Sequence, residues 1–322
     1  MRAIRVHEFG GPEVMRLETV EDPRPGPGEA LVRMDAAGVN FIDIYFRKGL
    51  YKTTLPFTPG SEGAGTVVAV GDGVATPRIG DRVASTNFAG SYAELSVARA
   101  DRLVVLPDGL STHHGAAAML QGMTAHYLTT STHRLAAGER CLVHAAAGGV
   151  GQLLCQMARR IGAAVIGTVG TEEKAELARA AGCSDTVLYT TQDFVAEVKR
   201  ITSGAGVHVV YDSVGATTFL KSLDCLVPRG MMALFGQSSG PVAPFDPQLL
   251  NSKGSLFLTR PTIAHYIATA EELHWRAGEV LGWVRDGSLR LRIDREVPLA
   301  HASEAHRALE GRRTTGKVLL VP

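Results

Sequence analysis

The segment ERCLVHAAAGGVGQLLCQMARR, residues 139–160, passes from an apolar run through a glycine-rich turn into a helical pattern. That order is what a phosphate-cradling turn requires. Gly148 lets the backbone approach a pyrophosphate and Gly151 allows a helix to pack closely on the preceding strand. The helix start then offers free amides and positive partial charge. Ala146 stands where the first glycine of G-x-G-x-x-G would be, so the motif is degenerate and draws its weight from the strand and helix around it. The chemistry on offer is dinucleotide binding; the plainer alternative is an ordinary tight turn between strand and helix.

A second segment, IGTVGTEEKAELA, bears on which dinucleotide. An acidic residue at the end of the second strand would accept from a ribose 2′-hydroxyl and repel a 2′-phosphate. Val169 and Gly170 occupy that place. Gly170 leaves room for a phosphate, Thr171 donates a hydrogen bond and Lys174 brings positive charge, which favours NADPH. The alternative is that Glu172, Glu173 and Lys174 only form a solvated helix start.

Other chemistries find little footing. Cys141, Cys155, Cys183 and Cys225 lie far apart in apolar runs, without CxxC spacing, and read as buried free thiols. Among the histidines, His113 and His114 fall in a helical segment, His144 ends an apolar strand and His208 opens another, so each reads as structural. No Ser-x-x-Lys or H-E-x-x-H pattern occurs.

The elements that must position these residues fall into two patterns. The first third reads as strands (AIRVHEF, EALVRMDAAGVN, GAGTVVAVG, DRVAST, SYAELSV) between segments rich in proline and glycine, fitting an antiparallel barrel or strongly bent sheet. From Ser111, a cap candidate, the pattern turns helical. Residues 139–260 then alternate strand (ERCLVHA, AAVIGTV, DTVLY, VHVVYDSV, MMALFG, SLFLTR) with helix (QLLCQMARRIG, EEKAELARAAG, DFVAEVKRITSG, TTFLKSLDCL). The strands are continuous apolar runs, as in a parallel sheet covered on both faces, and six of them predict a doubly wound domain. A helix over about Ile263–Asp286, a strand at REVPL, a helix at ASEAHRALE and a final strand GKVLLVP do not extend the repeat; we expect them to return to the first domain. The fold class is α/β, divided as 1–125, 126–262 and 263–322.

At 322 residues, with 45% hydrophobic and 20% charged, the chain has ample material for two cores. Its 33 basic and 32 acidic residues leave a net charge of +1, no footprint for nucleic acid or an anionic membrane. No stretch approaches the roughly 20 apolar residues needed to span a bilayer, and the start MRAIRVHEFGGPEV lacks a signal-peptide core, so we expect a cytoplasmic protein.

Together these blocks resemble the zinc-free quinone oxidoreductases of the medium-chain dehydrogenase/reductase superfamily, the group of zeta-crystallin. The marks are GGPEV, NFIDIYFRKGLY at 40–51, AAAGGVG, GTVGTEEK, VVYDSVG, FGQSSG, LTRP and RRTTGKVLL, in order along the whole chain. The resemblance implies a GroES-like β-rich catalytic domain, a Rossmann-type cofactor domain, a cleft between them for the substrate, and a homodimer, which we expect to pair through the SLFLTR edge. By position it implies that Asn40, Phe41, Ile42, Asp43 and Ile44 line the nicotinamide end and that Tyr127 lines the cofactor cleft. Gly149 and Val150 would join Gly148 and Gly151 at the pyrophosphate, and Tyr189 would join Gly170, Thr171 and Lys174 at the 2′-phosphate. Ser213 would sit by the adenosine, Phe235, Gly236, Gln237 and Ser238 would follow the fifth strand to the cofactor, and Arg312 would approach it.

Zinc enzymes of that superfamily carry a cysteine near position 40, a GHE triplet and a four-cysteine lobe; here stand Asn40, then Gly60-Ser61-Glu62, and no cysteine before Cys141. We therefore expect no metal. Reduction of a plain ketone calls for a Lewis acid or strong proton donor, whereas a quinone or conjugated carbonyl compound spreads the incoming charge itself. Tyr45 and Tyr51 are candidates for shaping the substrate mouth, or else packing residues. Asn40 is a candidate for orienting the cofactor carboxamide or an acceptor oxygen, and Asp43 for holding a ribose hydroxyl or fixing the loop that contains Arg47. The expected activity is NADPH-dependent quinone reduction. The nearest alternative is reduction of α,β-unsaturated aldehydes or ketones, and a remote one is an RNA-binding or structural crystallin-like role.

Overall fold

Strand β3 (Glu29–Val39), with Ala, Leu, Val and Met pointing inward along most of its length, is the spine of the first unit. Before it, β1 (Arg2–Val6) and β2 (Met15–Thr19) pair antiparallel. After it come helix α1 (Phe41–Arg47), then β4 (Gly63–Val70), β5 (Arg82–Ser85), β6 (Leu95–Arg99) and β7 (Val104–Val105). One edge of β3 pairs with β4; the N-terminal half of its other edge pairs with β6. Helix α2 (Thr112–Tyr127) opens where expected, with Ser111 Oγ accepting from the His114 amide at 3.2 Å. The computed structural model describes residues 1–322 and divides them into Met1–Met123 with Ile267–Pro322, and Thr124–Tyr266.

The second unit winds β8 (Arg140–Val143), α3 (Gly149–Ile161), β9 (Ala164–Val169), α4 (Glu172–Ala181), β10 (Asp185–Leu188), α5 (Phe194–Ile201) and β11 (Val207–Asp212) in succession. It continues with α6 (Phe219–Ser222), β12 (Leu226–Leu234), α7 (Gln248–Ser252), β13 (Phe257–Thr259) and α8 (Ile263–Tyr266). Its six strands are all parallel in the order β10-β9-β8-β11-β12-β13, the doubly wound arrangement whose order reverses beside β8. Leu142, Ile166, Val187, Val210 and Met232 fill the layer against Phe194, Val198 and Phe219. Two expected helices differ. TTFLKSLDCL gives only α6 and a 3-10 turn at Leu223–Cys225. The helix expected over Ile263–Asp286 is broken between Tyr266 and Ala270, because Thr269 is extended and its hydroxyl caps the next helix through the Glu272 amide at 3.1 Å.

That next helix, α9 (Ala270–Arg285), is followed by β14 (Ile293–Pro298), α10 (Ala302–Glu310) and β15 (Lys317–Val321). β15 pairs antiparallel with the C-terminal end of β3, Val318 opposite Val39 and Leu320 opposite Ala37, and parallel with β14. The sheet of the first unit therefore runs β14-β15-β3-β4-β5-β7, with β6 beside β3 and the β14-β15 end supplied by the last segment of the chain. Ile4, Val39, Tyr92, Leu299, Ala305 and Val318 form a core beneath that junction.

Candidate functional site

The register of β15 on β3 brings Lys317 level with Asn40, the residue that precedes α1. Lys317 is 1% exposed and its ammonium pairs with the carboxylate of Glu62, itself fully buried. Glu62 Oε2 also accepts from Asn40 Nδ2 at 2.7 Å, and its Oε1 accepts from the Leu120 amide of α2 at 2.6 Å. The second hydrogen of Asn40 Nδ2 goes to Gly38 O at 3.1 Å, while Asn40 Oδ1 accepts from Lys317 Nζ at 2.8 Å. Space for this knot comes from Gly38: a Cβ there would lie 2.3 Å from Glu62 Oε2 and 2.7 Å from Lys317 Cε. A buried ion pair of this kind adds little stability by itself, but removing one partner strands the other charge.

Asp43 closes the same region from inside α1. Its Oδ2 accepts from the Asn40 amide at 2.9 Å and from the Tyr92 hydroxyl at 3.0 Å. Burial pushes its carboxyl up to about 7; the two hydrogen bonds and Lys317 pull the other way, and Glu62 adds to the rise. Behind Tyr92 the donors are directional. Arg47 can only donate, so its 2.8 Å contact makes His306 Nδ1 the acceptor, leaving Nε2–H to donate to Tyr92 at 3.1 Å. Burial, then the neighbouring Arg47, holds His306 down at about 3, which keeps this tautomer neutral. Arg47 is fully buried and also donates to Gly10 O and to both oxygens of Glu310. The loop after α1 is thus held by Arg47 through His306 and Glu310, and Asp43 reaches it only through Tyr92.

Asp43, Phe46, Phe57, Ser61 and Phe88 are on the wall of a cavity of about 740 Å³ within this unit. Ser96 is there too, its hydroxyl buried without a partner. Tyr45 and Tyr51 are not. Tyr45, 8% exposed, meets Tyr51 edge to face at 5.4 Å, and Phe46 meets Tyr51 at 5.6 Å, an aromatic cluster that packs the end of α1. Phe41 and Ile42 are half-buried at the start of that helix, whereas Ile44 turns into the core. Arg312 lies on an exposed turn after α10 with a left-handed φ of 55°.

In the second unit Gly148 precedes α3, and Gly149, Val150 and Gly151 are its first three residues, whose amides have no partner inside the helix. A Cβ on Gly151 would lie 2.3 Å from Ala145 O and 2.8 Å from Ala146 Cα, so the close approach of helix to turn depends on glycine there. Ala146, in the place of the missing first glycine, is fully buried and is accommodated by Gly167 of β9, where a Cβ would come 2.7 Å from the Ala146 methyl. The turn therefore keeps its close helix-to-strand approach despite its degenerate motif.

Gly170, Thr171, Lys174 and Tyr189 gather at the C-terminal ends of β9 and β10. A Cβ on Gly170 would meet the Tyr189 hydroxyl at 2.8 Å, and Thr171 caps α4, its Oγ1 accepting from the Lys174 amide. No carboxylate ends β9; Glu172 is turned along the helix to pair with Arg179. The residues present fit a phosphate-bearing ribose. Ser213 and Phe235–Ser238 meet at the ends of β11 and β12, where the Ser238 amide donates to Ser213 O at 3.1 Å. Buried Asp212, not singled out from the sequence, organises this corner by accepting from the amides of Val214 and Gly215 and from the Thr218 hydroxyl. Tyr127 is 2% exposed and stacked on Tyr266 at 4.2 Å. His144 is structural, bonded to Thr168 and Ser222.

Lys317, Glu62, Tyr92 and His306 escaped sequence reasoning as a group. One available signal was a lysine opening an apolar terminal strand in GKVLLVP. No group of three or more His, Cys, Asp or Glu side chains is arranged to hold a metal ion.

Residues 26–140 match the model of the alcohol dehydrogenase GroES-like domain, and residues 149–276 match that of the zinc-binding dehydrogenase. A quinone oxidoreductase of Pseudomonas aeruginosa is 46% identical over 100% of this chain and 99% of its own. A 2-haloacrylate reductase of a Burkholderia species is 42% identical, covering 98% of each chain. The crystal structure of Escherichia coli quinone oxidoreductase complexed with NADPH superposes with a TM-score of 0.98 at 42% identity, covering 100% of both chains. With the glycine turn, the β-rich first unit and this full-length likeness in agreement, the chain belongs to the quinone oxidoreductase family of the medium-chain dehydrogenase/reductase superfamily.

Proposed function

We propose that the protein is an NADPH-dependent reductase of quinones that works without a metal. The observation that carries this reading is the full-length likeness to quinone oxidoreductases, one of them solved with NADPH, combined with a β9 end that offers Gly170, Thr171 and Lys174 and no acid. NADPH, when bound, supplies the reducing equivalents. The chain's own residues bind and orient: the α3 amides the pyrophosphate, and Thr171, Lys174 and Tyr189 the 2′-phosphate. The positions that hold zinc ligands in relatives with a cysteine near 40 and a GHE triplet here hold Asn40 and Ser61, which leaves too few donors for a catalytic zinc site. A flat conjugated acceptor suits a cavity of about 740 Å³ walled by Phe46, Phe57 and Phe88 beside the polar Asp43 and Ser96. The Burkholderia relative favours a second reading, reduction of a conjugated carbon–carbon double bond.

We further infer a homodimer formed through β13, which ends its sheet and leaves Phe257 57% exposed, an edge that calls for covering. The four free buried cysteines are in keeping with the reducing cytoplasm.

Titration with NADPH and NADH, before and after Lys174→Ala, tests the cofactor. NADPH is expected to bind at least tenfold more tightly, and the substitution to erase most of that margin, since a charge-assisted contact contributes about 1.5–3 kcal/mol. Equal binding of the two nucleotides refutes the assignment. Turnover of 1,4-benzoquinone against a simple enone and 2-chloroacrylate then separates the two acceptor readings; activity confined to the latter pair selects the second.

A further inference from the structure

Ala145, two residues past β8, enters the glycine-rich turn in a left-handed conformation, φ 52°, although it is not glycine. An alanine there is strained and keeps that shape only where its surroundings impose it. Ala145 is itself exposed, so the restraint comes from its two neighbours. The Ala146 amide donates to Thr168 O and the His144 amide to Tyr211 O, each at 3.1 Å. The buried His144 ring adds a bond at each nitrogen. Ser222 has one hydroxyl hydrogen, which it gives to the Thr218 carbonyl at 2.8 Å, so towards His144 it can only accept, from Nε2–H at 2.8 Å. Burial, against the weaker pull of the Asp212 charge, holds the imidazole below its usual range and therefore neutral. Nδ1 is then an acceptor, filled by the Thr168 hydroxyl at 2.9 Å. Thr168 thus grips both neighbours of Ala145, His144 through its hydroxyl and Ala146 through its carbonyl.

We propose that His144 and Thr168 are positioning residues for the cofactor's pyrophosphate: together they hold Ala145 left-handed and so keep the turn before α3 in the shape that receives a phosphate. The inference rests on the reading of the chain as an NADPH-dependent enzyme. Ala145 transmits the effect, because its carbonyl accepts from the Gly148 amide at 2.8 Å and lies 2.3 Å from where a Cβ on Gly151 would stand. A rotation at Ala145 therefore shifts both the amide before α3 and the surface on which α3 rests. The 2′-phosphate end of β9 does not depend on this clamp. It is held by its own ladder to β10, with Thr168 opposite Val187 and Val169 opposite Leu188.

The test titrates the full-length protein with NADPH, with NADH and with adenosine 2′-monophosphate, which carries the 2′-phosphate but no pyrophosphate. Thr168→Val and His144→Phe are each expected to weaken both dinucleotides about tenfold, the effect of one lost hydrogen bond that leaves a buried partner unpaired. The ratio of NADPH to NADH affinity and the binding of adenosine 2′-monophosphate stay unchanged. Thr168→Ser, which keeps the hydroxyl, binds as the wild type does. The double variant Thr168→Val/Ala145→Gly recovers most of the loss, since glycine takes the left-handed conformation without a clamp. If His144→Phe does not fold, Thr168→Val and its glycine partner carry the comparison. Undiminished dinucleotide binding by Thr168→Val overturns the proposal. So does a parallel loss of adenosine 2′-monophosphate, which marks a general loosening of the unit, and so does a loss that Ala145→Gly leaves in place. A 15N spectrum that finds the His144 proton on Nδ1 overturns it as well. Failure of the wild type to bind NADPH is a different result and removes the cofactor reading beneath it.

Discussion

Asp43→Asn should stabilise the protein at neutral pH and leave it nearly unchanged near pH 4. The folded carboxyl sits at about 7 because burial penalises its charge. The unfolded chain releases the same proton at about 3.9. Between those values the folded state holds a proton the unfolded state has lost, so stability falls as pH rises through the window. The span is worth on the order of 4 kcal/mol at about 1.4 kcal/mol per pH unit. Asparagine keeps an oxygen for the Asn40 amide and the Tyr92 hydroxyl but does not ionise. The variant's advantage should therefore grow from near zero at pH 4 to a few kcal/mol at pH 7 and above. His306 acts in the opposite sense: held at about 3, it refuses a proton that the unfolded chain accepts below about 6.5, so its contribution is lost as pH falls from there to about 3. The two slopes oppose each other in the wild type, and only the difference between wild type and variant isolates Asp43. Urea unfolding from pH 4 to 8, followed by tryptophan fluorescence, suits the question because both tryptophans, Trp275 and Trp283, lie on α9 in the same unit as Asp43. A difference that is constant with pH, or that grows towards acid, refutes the reasoning.

Lys317→Met, which strands Glu62 in the interior, should cost about 3–5 kcal/mol, and adding Glu62→Gln should recover much of the loss; chemical denaturation of the two variants is the check, and equal stabilities would count against a buried charge pair. Gly151→Ala forces a methyl to within 2.3 Å of Ala145 O, a backbone atom that cannot step aside. It should destabilise the second unit by about 1–3 kcal/mol and weaken NADPH binding at least tenfold, read by thermal shift and titration; wild-type affinity would show that the turn is not the pyrophosphate site.

The cofactor unit was legible because its strands are buried on both faces and announce themselves as unbroken apolar runs. The two-residue β7, the exposed β2 and the five-residue α7 carry no such pattern. Thr269 was misread for a local reason: a single capping hydroxyl interrupts an otherwise amphipathic stretch and leaves no trace in its periodicity. The site around Asn40 was half visible. Asn40 and Asp43 sit in one motif, but what they touch is fixed by strand register, which joins Lys317 to Glu62 across 255 residues and His306 to Arg47 across 259. Gly38, within a strand pattern, was the available hint of a close approach. Tyr45 and Tyr51 show the converse failure, since aromatic side chains suited to a flat ligand are equally suited to one another.

Because β15 closes the sheet against β3, the first unit is completed only once Lys317–Val321 has been synthesised. At about 5–20 residues per second, Glu62 waits roughly 13–50 s for its lysine, with the C-terminal edge of β3 open meanwhile. The contiguous second unit faces no such delay and can fold first. An interrupted message would thus yield a finished nucleotide-binding unit tethered to an unfinished sheet, a species whose bare strand edge and unpaired interior carboxylate mark it for proteolysis.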